Sequence, residues 1–306
     1  MKRVLVTGAS GFIGRHCLGR LCELGYDIHG TWLTNRPSSD GVNWHQVDLL
    51  EPGAIHDILS AVRPSHLLHF AWYAVPRDYR ESAENLRWCQ AGIELAKRFA
   101  EYGGRRAVFV GSCFEYDTRF GYCSETLTPI RPSTLYGVCK SSLHQIVERF
   151  SPAAGVSMAW ARIFFLYGPY EAPGRLVPSV INALLRGEPA RCSHGRQLRD
   201  FLHVRDVADA LAALLESELE GPVNIGSGIP VALREIVAML LETVNGQGRA
   251  EFGALTAPQD EPPLLLADVG RLSKELGWRP KIALRQGLEE TVQWWRATSP
   301  DKIIAC

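Results

Sequence analysis

A tyrosine and a lysine four residues apart, Tyr136 and Lys140, form a pair that could exchange a proton with a bound molecule. In a helix this spacing puts both side chains on one face, where the ammonium group would stabilise a phenolate and lower its pKa. Ser112 ends an apolar strand-like run, and its hydroxyl could hydrogen-bond the same oxygen that the tyrosine protonates. The Tyr-x-x-x-Lys spacing alone is also common on exposed helices, so the serine strengthens the assignment.

Three glycines near the start of the chain, Gly8, Gly11 and Gly14, separate a strand-like run from a helix-like one. The first would permit a tight turn, the second a close approach to a pyrophosphate, and the third close packing of helix on strand. The helix would point its free N–H groups and positive dipole end at the anion. This order predicts a dinucleotide site, although the spacing is GxxGxxG rather than GxGxxG. The alternative is a glycine-rich turn without a ligand.

The second strand-like run indicates which dinucleotide would bind. An acidic residue near its end would bind the ribose 2′-hydroxyl of NAD, but Trp32 occupies that place. Asn35 and Arg36 follow, and an arginine with small polar neighbours suits the 2′-phosphate of NADP. Arg15, directly after the last glycine, could add positive charge from the start of the helix. The sequence therefore favours NADP(H) over NAD(H), with a solvated loop position as the alternative for Arg36.

Strands and helices alternate along the first half of the chain. The predicted helices are 14–24, 52–62, 83–102 and 135–150. The predicted strands are 4–7, 27–31, 41–46, 66–70, 107–110 and 157–165. This alternation predicts an α/β fold of the Rossmann type, a doubly wound parallel sheet with helices on both faces. The carboxyl ends of the strands in such a sheet line the ligand crevice, so the end at Ser112 would face the ligand.

The regular alternation ends after a Tyr-Gly-Pro sequence at 167–169. Later segments with a helix or strand pattern are 204–215, 223–225, 233–245, 268–277 and 284–296. We predict a dinucleotide-binding domain of residues 1–166, to which 203–225 return. Residues 167–202 and 226–306 would form a smaller C-terminal substrate-binding lobe, with a cleft between the two parts.

The composition argues against several other kinds of protein. The 306 residues include 33 Lys and Arg and 33 Asp and Glu, so no basic excess indicates binding to nucleic acid or an anionic membrane. Eight cysteines are scattered without a Cys-x-x-Cys pair or zinc-ligand spacing, which predicts reduced thiols and no metal site. The sequence shows neither a membrane-spanning apolar run nor a signal-peptide pattern, so we expect a cytoplasmic protein.

With these motifs, the sequence resembles the extended short-chain dehydrogenase/reductases of the NAD(P)-dependent nucleotide-sugar epimerase/dehydratase family. The resemblance covers nearly the whole chain and depends on the glycines, the serine and the 136/140 pair. The other segments that carry it are Asp48-Leu49, Leu-His-Phe-Ala at 68–71, Asn85, Tyr-Gly-Pro at 167–169 and Arg-Asp-Phe-Leu-His-Val at 199–204. It implies a nicotinamide-dependent oxidoreductase that acts on a nucleotide sugar, and a homodimer formed through helices 83–102 and 135–150.

The resemblance also implies a role for each matching residue. Ser112, Tyr136 and Lys140 would be catalytic as hydride moves between the nicotinamide and a sugar carbon. Arg199 would contact the diphosphate, because a guanidinium fork matches phosphate oxygens. The residues implied to bind the cofactor are Gly8, Ser10, Gly11, Phe12, Ile13, Gly14, Arg15, Asn35, Arg36, Asp48, Leu49, Phe70, Ala71, Trp72, Asn85, Tyr136, Lys140 and Phe164. The residues implied to bind the nucleotide sugar are Trp72, Cys113, Phe114, Tyr136, Arg175, Leu176, Val177, Arg199 and Asp260.

Local departures from the family pattern narrow the reaction. The 4,6-dehydratases resemble one another in a Thr-Asp-Glu run, whereas Ser112, Cys113 and Phe114 stand here, with Glu115 displaced by one position. The bifunctional epimerase–reductases carry a cysteine and a histidine where this chain has Phe114 and Arg175. The hypotheses that remain are an NADPH-dependent 4-ketoreductase of a nucleoside-diphosphate 4-keto-6-deoxysugar and an NAD-dependent C4 epimerase. NADP(H) preference favours the reductase, and a non-catalytic dinucleotide-binding scaffold or sensor is the alternative of another class.

Overall fold

The computed structural model describes residues 2–34, 36–37, 40–76, 78–244, 248–257 and 261–298. The strands are β1 (Arg3–Thr7), β2 (Asp27–Trp32), β3 (Val42–Gln46), β4 (His66–His69), β5 (Arg106–Ser112), β6 (Tyr122–Cys123), β7 (Ser157–Ile163), β8 (Phe165–Tyr167), β9 (Ala190–Cys192), β10 (Leu198–His203), β11 (Gly221–Ile225), β12 (Pro230–Ala232), β13 (Ala250–Phe252) and β14 (Leu264–Ala267). The α-helices are α1 (Gly14–Glu23), α2 (Ala54–Val62), α3 (Glu84–Glu101), α4 (Leu135–Phe150), α5 (Leu176–Leu185), α6 (Val204–Glu216), α7 (Leu233–Val244) and α8 (Leu284–Ala297).

The main sheet is parallel throughout, with the strand order β11-β7-β5-β4-β1-β2-β3. The order reverses at β1, because the chain proceeds first to β2 and β3 and then crosses to β4 and β5. Ligands of such sheets bind at this reversal, outside the carboxyl ends of the strands. Those ends are adjacent here, since Thr7 pairs with His69 and His69 pairs with Phe109. The predicted doubly wound α/β fold is confirmed.

Both faces of the main sheet are covered, because apolar side chains of the strands point alternately to its two sides. On β1, Val4 and Val6 pack with α1 and α6, whereas Leu5 packs with α2, α3 and α4 on the opposite face. All three side chains are fully buried. Each such side chain contributes about 1.5–3 kcal/mol when it leaves water, so the two helix layers hold the strand ends in place.

A smaller sheet forms beside the carboxyl ends of the main one. Its strand β10 pairs in parallel with β8 and β14 and antiparallel with β12, and β14 pairs with β6. Helices α5, α7 and α8 pack around a core that includes Val180, Ile236 and Val292. Helix α6 and strand β11 lie with the main sheet. The predicted dinucleotide-binding domain (1–166 with 203–225) and substrate-binding lobe (167–202 with 226–306) stay predictions.

Two predicted elements differ from the structure. The strand predicted at 157–165 is divided, because β7 follows β5 only as far as Ile163 and β8 then pairs with β10. The helix predicted at 268–277 is one π-helical turn, Arg271–Glu275. The chain leaves this turn at Gly277, which has a left-handed φ of +71°. Glycine adopts that conformation without strain, so the helical pattern ends early.

Candidate active site

The turn of residues 8–14, called the glycine turn below, requires glycine at its closest backbone contacts. Gly8 has a φ of +68°, and a Cβ there would lie 2.8 Å from the backbone nitrogen of Ala71. A Cβ on Gly14 would lie 2.4 Å from the carbonyl oxygen of Gly8. Helix α1 starts here without a side-chain cap. The Arg15 and His16 N–H groups donate to the Gly11 and Ile13 carbonyl oxygens. The N–H groups between Gly11 and Arg15 are therefore the ones that could bind an anion at the carboxyl end of β1.

A cavity of about 550 Å³ extends from the glycine turn to the smaller sheet. Its volume is within the range of cofactor and small-molecule sites. It brings together most of the residues that the sequence predicts for the site. Those that line it are Gly8, Gly11, Phe12, Ile13, Gly14, Phe70, Ala71, Trp72, Ser112, Cys113, Phe114, Tyr136, Phe164, Arg175, Leu176, Val177 and Arg199.

Ser112 is the last residue of β5 and also the N-cap of a short 3₁₀ helix. Its N–H donates to Glu115 Oε1 at 2.7 Å, and its hydroxyl oxygen accepts the Phe114 N–H at 3.3 Å. This reciprocal pair is a capping box, which satisfies two backbone donors at the helix start. The serine side chain is therefore held at the carboxyl end of the strand, where it faces the cavity.

Glu115 is fully buried and forms an ion pair with Arg162 of β7, with Oε2 and Nε 2.9 Å apart. Trp160 Nε1 donates to the same carboxylate at 2.9 Å. The carboxylate is not among the residues that line the cavity. The acidic residue next to the dehydratase position thus has all its partners within the protein core, as a buried charge requires. The sequence analysis did not predict this pair, although an arginine within an otherwise apolar strand could have indicated it.

Tyr136 lies in the first turn of α4, which Thr134 caps by accepting the Gly137 N–H at 3.2 Å. The Tyr136 N–H donates to the carbonyl oxygen of Arg80 at 2.9 Å. Its ring is half-buried and packs edge-on against Tyr79, with ring centroids 5.0 Å apart. These contacts point the tyrosine into the cavity that Ser112 also lines.

Lys140, one helical turn further, is 3% exposed and lies behind the cavity wall. Its Nζ donates to the Val110 carbonyl oxygen at 2.8 Å and lies 3.7 Å from the centre of the Trp72 ring. Burial lowers the pKa of Lys140 to about 7, and the Glu115 carboxylate opposes that shift. The lysine is not among the residues that line the cavity.

The pKa of Tyr136 differs from the expectation that the lysine lowers it. Burial and then the neighbouring Tyr79 raise this pKa, and the Ser112 hydroxyl opposes the rise. The lysine does not lower the tyrosine pKa as expected, because its ammonium group hydrogen-bonds to a backbone carbonyl and lies over the Trp72 ring. At neutral pH the tyrosine is therefore protonated in this structure, and a protonated phenol is a proton donor.

Asn85 is fully buried beneath the cavity wall. Its Oδ1 accepts the Trp72 indole N–H at 2.8 Å, and its Nδ2 donates to the carbonyl oxygens of Tyr79 and Ser82 at 2.6 and 2.8 Å. It is not among the residues that line the cavity. The asparagine predicted to bind the cofactor thus holds two of the aromatic residues that do line the cavity.

Among the residues that the structure describes, three arginines line the cavity near the smaller sheet. Arg199 is 3% exposed and pairs with Glu261 at 2.9 Å, while the Arg175 guanidinium lies 5.1 Å from the centre of the Tyr79 ring. The third, Arg80, was not predicted, because no local spacing distinguishes it from a surface arginine. Guanidinium groups bind phosphate oxygens well. Asp260 lies outside the described residues.

Several residues predicted to bind the cofactor lie outside the cavity lining. Asp48 uses Oδ1 to accept the Leu50 N–H at 2.9 Å, within the turn that precedes α2. Leu49 belongs to the core cluster around α2 and α3. These positions follow β3 at the carboxyl edge of the main sheet, on the far side of β1 from the serine and tyrosine.

The arginines predicted to bind the cofactor either contact other residues or do not line the cavity. Arg15 Nη2 donates to the Ser10 carbonyl oxygen at 2.5 Å, and its guanidinium lies 4.0 Å from the centre of the Tyr170 ring. Arg36 is exposed, and Asn35 lies outside the described residues. The positions of Arg15 and Arg36 therefore give no geometric support for a 2′-phosphate site at these two side chains.

The described parts of the chain contain no helix with the length and apolar character needed to cross a bilayer. The same residues contain no group of three or more His, Cys, Asp or Glu side chains arranged to hold a metal ion. The cysteines within them are free thiols, most of them buried.

Residues 4–226 match the model of the NAD dependent epimerase/dehydratase family. The chain is 28% identical over 311 residues to UDP-glucuronic acid decarboxylase 4 of Arabidopsis thaliana, covering 96% of this chain and 68% of that protein. UDP-glucose 4-epimerase of Thermus thermophilus, solved with NAD, has a TM-score of 0.85 at 26% identity, with 97% and 100% of the chains covered. MoeE5, solved with UDP-glucuronic acid and NAD, has a TM-score of 0.85 at 30% identity over 96% and 99%.

The family match covers well over half of the chain, and the fold and the glycine turn agree with it. The family resemblance seen in the sequence is thereby confirmed, as is the expectation of an enzyme. The chain belongs to the NAD dependent epimerase/dehydratase family.

Proposed function

We propose that this enzyme exchanges a hydride and a proton at a ring carbon of a nucleotide sugar, with a nicotinamide dinucleotide as its cofactor. The observation that carries the proposal is that the glycine turn, Ser112 and Tyr136 line one cavity. Solved relatives add support, since MoeE5 was crystallised with NAD and either UDP-glucuronic acid or UDP-glucose. When bound, the dinucleotide supplies or accepts the hydride.

The residues at the glycine turn fit a dinucleotide. The uncapped N-terminus of α1 and the absence of side chains at Gly8 and Gly11 leave room and N–H donors for a pyrophosphate. Phe70, Ala71 and Phe164 provide apolar walls between the turn and the serine. These residues would hold the cofactor in the half of the cavity that adjoins β1.

The proton transfer belongs to Tyr136, with Ser112 as its partner. In the reductive direction the protonated phenol donates its proton to the sugar oxygen, and the serine hydroxyl hydrogen-bonds that oxygen. The phenolate that remains carries a negative charge, which the Lys140 ammonium would balance once it leaves the Val110 carbonyl oxygen and turns toward the phenol. The diphosphate would be bound by the guanidinium groups that line the cavity among the described residues, which are Arg199, Arg175 and Arg80.

Of the reactions open to this set, reduction of a 4-keto-6-deoxysugar by NADPH is our first candidate. The observation that favours it is the end of β2, where Trp32 is followed by Leu33 and Thr34 and no carboxylate is available for the NAD ribose. Eliminating water would need a further acid and base, and Glu115 is engaged with Arg162 in the core. A reductase must also exchange its cofactor after every turnover.

The second candidate is a C4 epimerase that retains NAD. It is favoured by the solved relatives, since the Thermus thermophilus UDP-glucose 4-epimerase contains NAD and shares the fold over the whole chain. Both candidates use the same serine and tyrosine. They differ in whether the dinucleotide leaves after each turnover.

One experiment tests the proposal and separates the candidates. The absorbance of freshly purified protein is recorded first, because a retained dinucleotide supports the epimerase. The protein is then mixed with NADPH or NADH and a panel of nucleoside-diphosphate 4-keto sugars. Rapid loss of nicotinamide absorbance with NADPH supports the reductase. If neither a retained dinucleotide nor any absorbance change is found, and no nucleotide sugar is converted, the proposed function is wrong.

A further inference from the structure

Glu171 follows β8 in a segment that the Tyr170 ring fixes to the first turn of α1 and to α8. Its neighbour Tyr170 has a φ of +70°, a conformation that is rare for a residue with a large side chain. The Tyr170 ring lies beneath the Arg15 guanidinium at 4.0 Å and packs on Trp294, with ring centroids 4.7 Å apart. The unusual backbone at Tyr170 and its packed ring fix the direction in which the next side chain leaves the chain.

The Glu171 side chain enters the cavity, and only 8% of the residue is exposed. Its Oε2 is buried without a hydrogen-bond partner among the described residues. Burial raises the pKa of this carboxyl to about 8, and the neighbouring Arg175 opposes the rise. At neutral pH the group is therefore mainly a neutral acid, which both donates and accepts hydrogen bonds.

In the described structure, Oε2 of this carboxyl makes no hydrogen bond that would stabilise the fold. A buried polar atom without a partner costs free energy, commonly about 1–3 kcal/mol, compared with a satisfied or apolar side chain. A side chain that destabilises the fold in this way is typically retained because it binds a ligand. Glu115 gives the contrast, since it is fully buried and its carboxylate has three partners.

Glu171 lines the same cavity as the proposed proton donor, together with Arg175 and Tyr79. The Arg175 guanidinium lies 5.1 Å from the centre of the Tyr79 ring. The Tyr79 ring lies 5.0 Å from that of Tyr136. The glutamate and the tyrosine therefore belong to the lining of one cavity.

The chemistry of this region fits a sugar better than a phosphate. A carboxyl that can ionise is a poor partner for a diphosphate, for which the cavity has Arg199 and Arg80. Sugar hydroxyls need donors and acceptors, and much of the remaining lining is apolar, including Trp72, Phe114 and Leu166. A carboxyl with a free oxygen supplies what a hydroxyl requires.

We propose that Glu171 is a specificity-determining residue whose carboxyl group hydrogen-bonds a hydroxyl group of the sugar part of the substrate. This inference rests on the proposed function, because it assumes that a nucleotide sugar occupies the cavity. It adds a sugar contact to the nucleotide contacts of the arginines and to the chemistry of the serine and tyrosine.

The test compares how much the sugar adds to binding in three proteins. UDP, dTDP, GDP and CDP and their diphosphoglucose derivatives are first screened with wild-type protein by thermal shift, and the best pair is then titrated by calorimetry. The same titrations are made with Glu171→Gln and Glu171→Leu. Glu188→Gln, at an exposed glutamate paired with Arg186, is the matched control.

We expect Glu171→Leu to bind the free nucleoside diphosphate within twofold of wild type and the diphosphoglucose about fivefold to tenfold more weakly. This range corresponds to the loss of one hydrogen bond worth about 1–1.4 kcal/mol. Glu171→Gln, whose neutral amide also donates and accepts hydrogen bonds, should bind both ligands within about twofold of wild type. The control should equal wild type with both ligands. Melting temperatures of the Glu171 variants should equal or exceed that of wild type at pH 8, because Oε2 of the lost carboxyl had no hydrogen-bond partner.

Other results would overturn the inference in distinguishable ways. A lower melting temperature with unchanged sugar binding would make Glu171 structural. Weaker binding of NAD(H) or NADP(H), with unchanged diphosphoglucose affinity, would place the carboxyl against the cofactor. If none of the four pairs binds to wild-type protein, the proposed function fails, and this inference fails with it.

Discussion

At the scale of single residues, the account depends on the protonation state of one phenol. Burial keeps Tyr136 protonated, and the lysine one turn along the helix is directed to the Val110 carbonyl and the Trp72 ring. The sequence predicted the pair and its shared helical face. It could not predict the direction of the ammonium group, because that depends on a tryptophan 68 positions earlier in the chain.

Replacing Tyr136 with Phe should leave binding of dinucleotide and nucleoside diphosphate within about twofold of wild type. Turnover should fall by about 10²–10⁴-fold, because the proton donor is lost while the ring packing against Tyr79 is kept. Steady-state rates and calorimetry measure the two effects. A variant that keeps more than a tenth of wild-type turnover would show that another group moves the proton.

The buried pair of Glu115 and Arg162 should be costly to break. Removing one partner leaves an uncompensated charge in the core, so Arg162→Met should lower the free energy of unfolding by about 3–5 kcal/mol. The exposed Arg186–Glu188 pair is the control, and Arg186→Met should cost less than about 1 kcal/mol. Urea unfolding measures both. Equal small losses would mean that the core pair contributes no more than the surface pair.

Glu171 shows what sequence reasoning misses at this scale. It lies in a loop rich in proline and glycine, and no periodicity marks it as buried. Its position depends on the backbone at Tyr170 and on contacts with residues far away in the chain. Arg162, in contrast, could have been noticed, because a charged residue within an apolar strand needs a buried partner.

At the scale of elements, the strand–turn–helix unit at the N-terminus was predicted well. Its signal is local, since glycine spacing and apolar periodicity are both read within 20 residues. The division of 157–165 into β7 and β8 was missed, because the pairing of β8 with β10 joins segments more than 30 residues apart. The shortened helix at 271–275 was missed for a different reason, a glycine that ends the turn.

Two glycines of the same helix give a matched test of the dinucleotide site. In Gly14→Ala the new Cβ would meet the Gly8 carbonyl oxygen at 2.4 Å, so the turn must open and dinucleotide affinity should fall at least tenfold. In Gly19→Ala the Cβ meets nothing within 4 Å, so affinity should not change. The second variant should also be about 0.5–1 kcal/mol more stable. Equal dinucleotide affinities in the two variants would contradict a site at this turn.

At the scale of the whole molecule, stability should depend on pH through the cavity carboxyl. Because the folded-state pKa of Glu171 is raised from 4.5 to about 8, its contribution to the unfolding free energy is lost as pH rises across that window. Buried histidines such as His69 have the opposite effect. Because the pKa of His69 is lowered from 6.5 to about 3, its contribution to the unfolding free energy increases as pH rises to 6.5. A comparison of wild type with Glu171→Gln isolates the glutamate.

Relative to wild type, the Glu171→Gln variant should gain stability between pH 5 and pH 8.5, by roughly 2–4 kcal/mol. Denaturant unfolding at the two pH values measures the difference. A difference between the two proteins that does not change with pH would show that this carboxyl titrates normally in the folded protein.

The most direct test of the central claim follows the hydride and the proton together in one reaction. Wild-type protein and Tyr136→Phe are each mixed, in single turnover, with dinucleotide and the nucleotide sugar that binds best, and nicotinamide absorbance is recorded as the sugar product is identified. We predict a transient or net absorbance change that matches sugar conversion in wild type and is lost in the variant, which still binds both ligands. Conversion of the sugar without any redox change at the nicotinamide, or equal rates in the two proteins, would contradict the account.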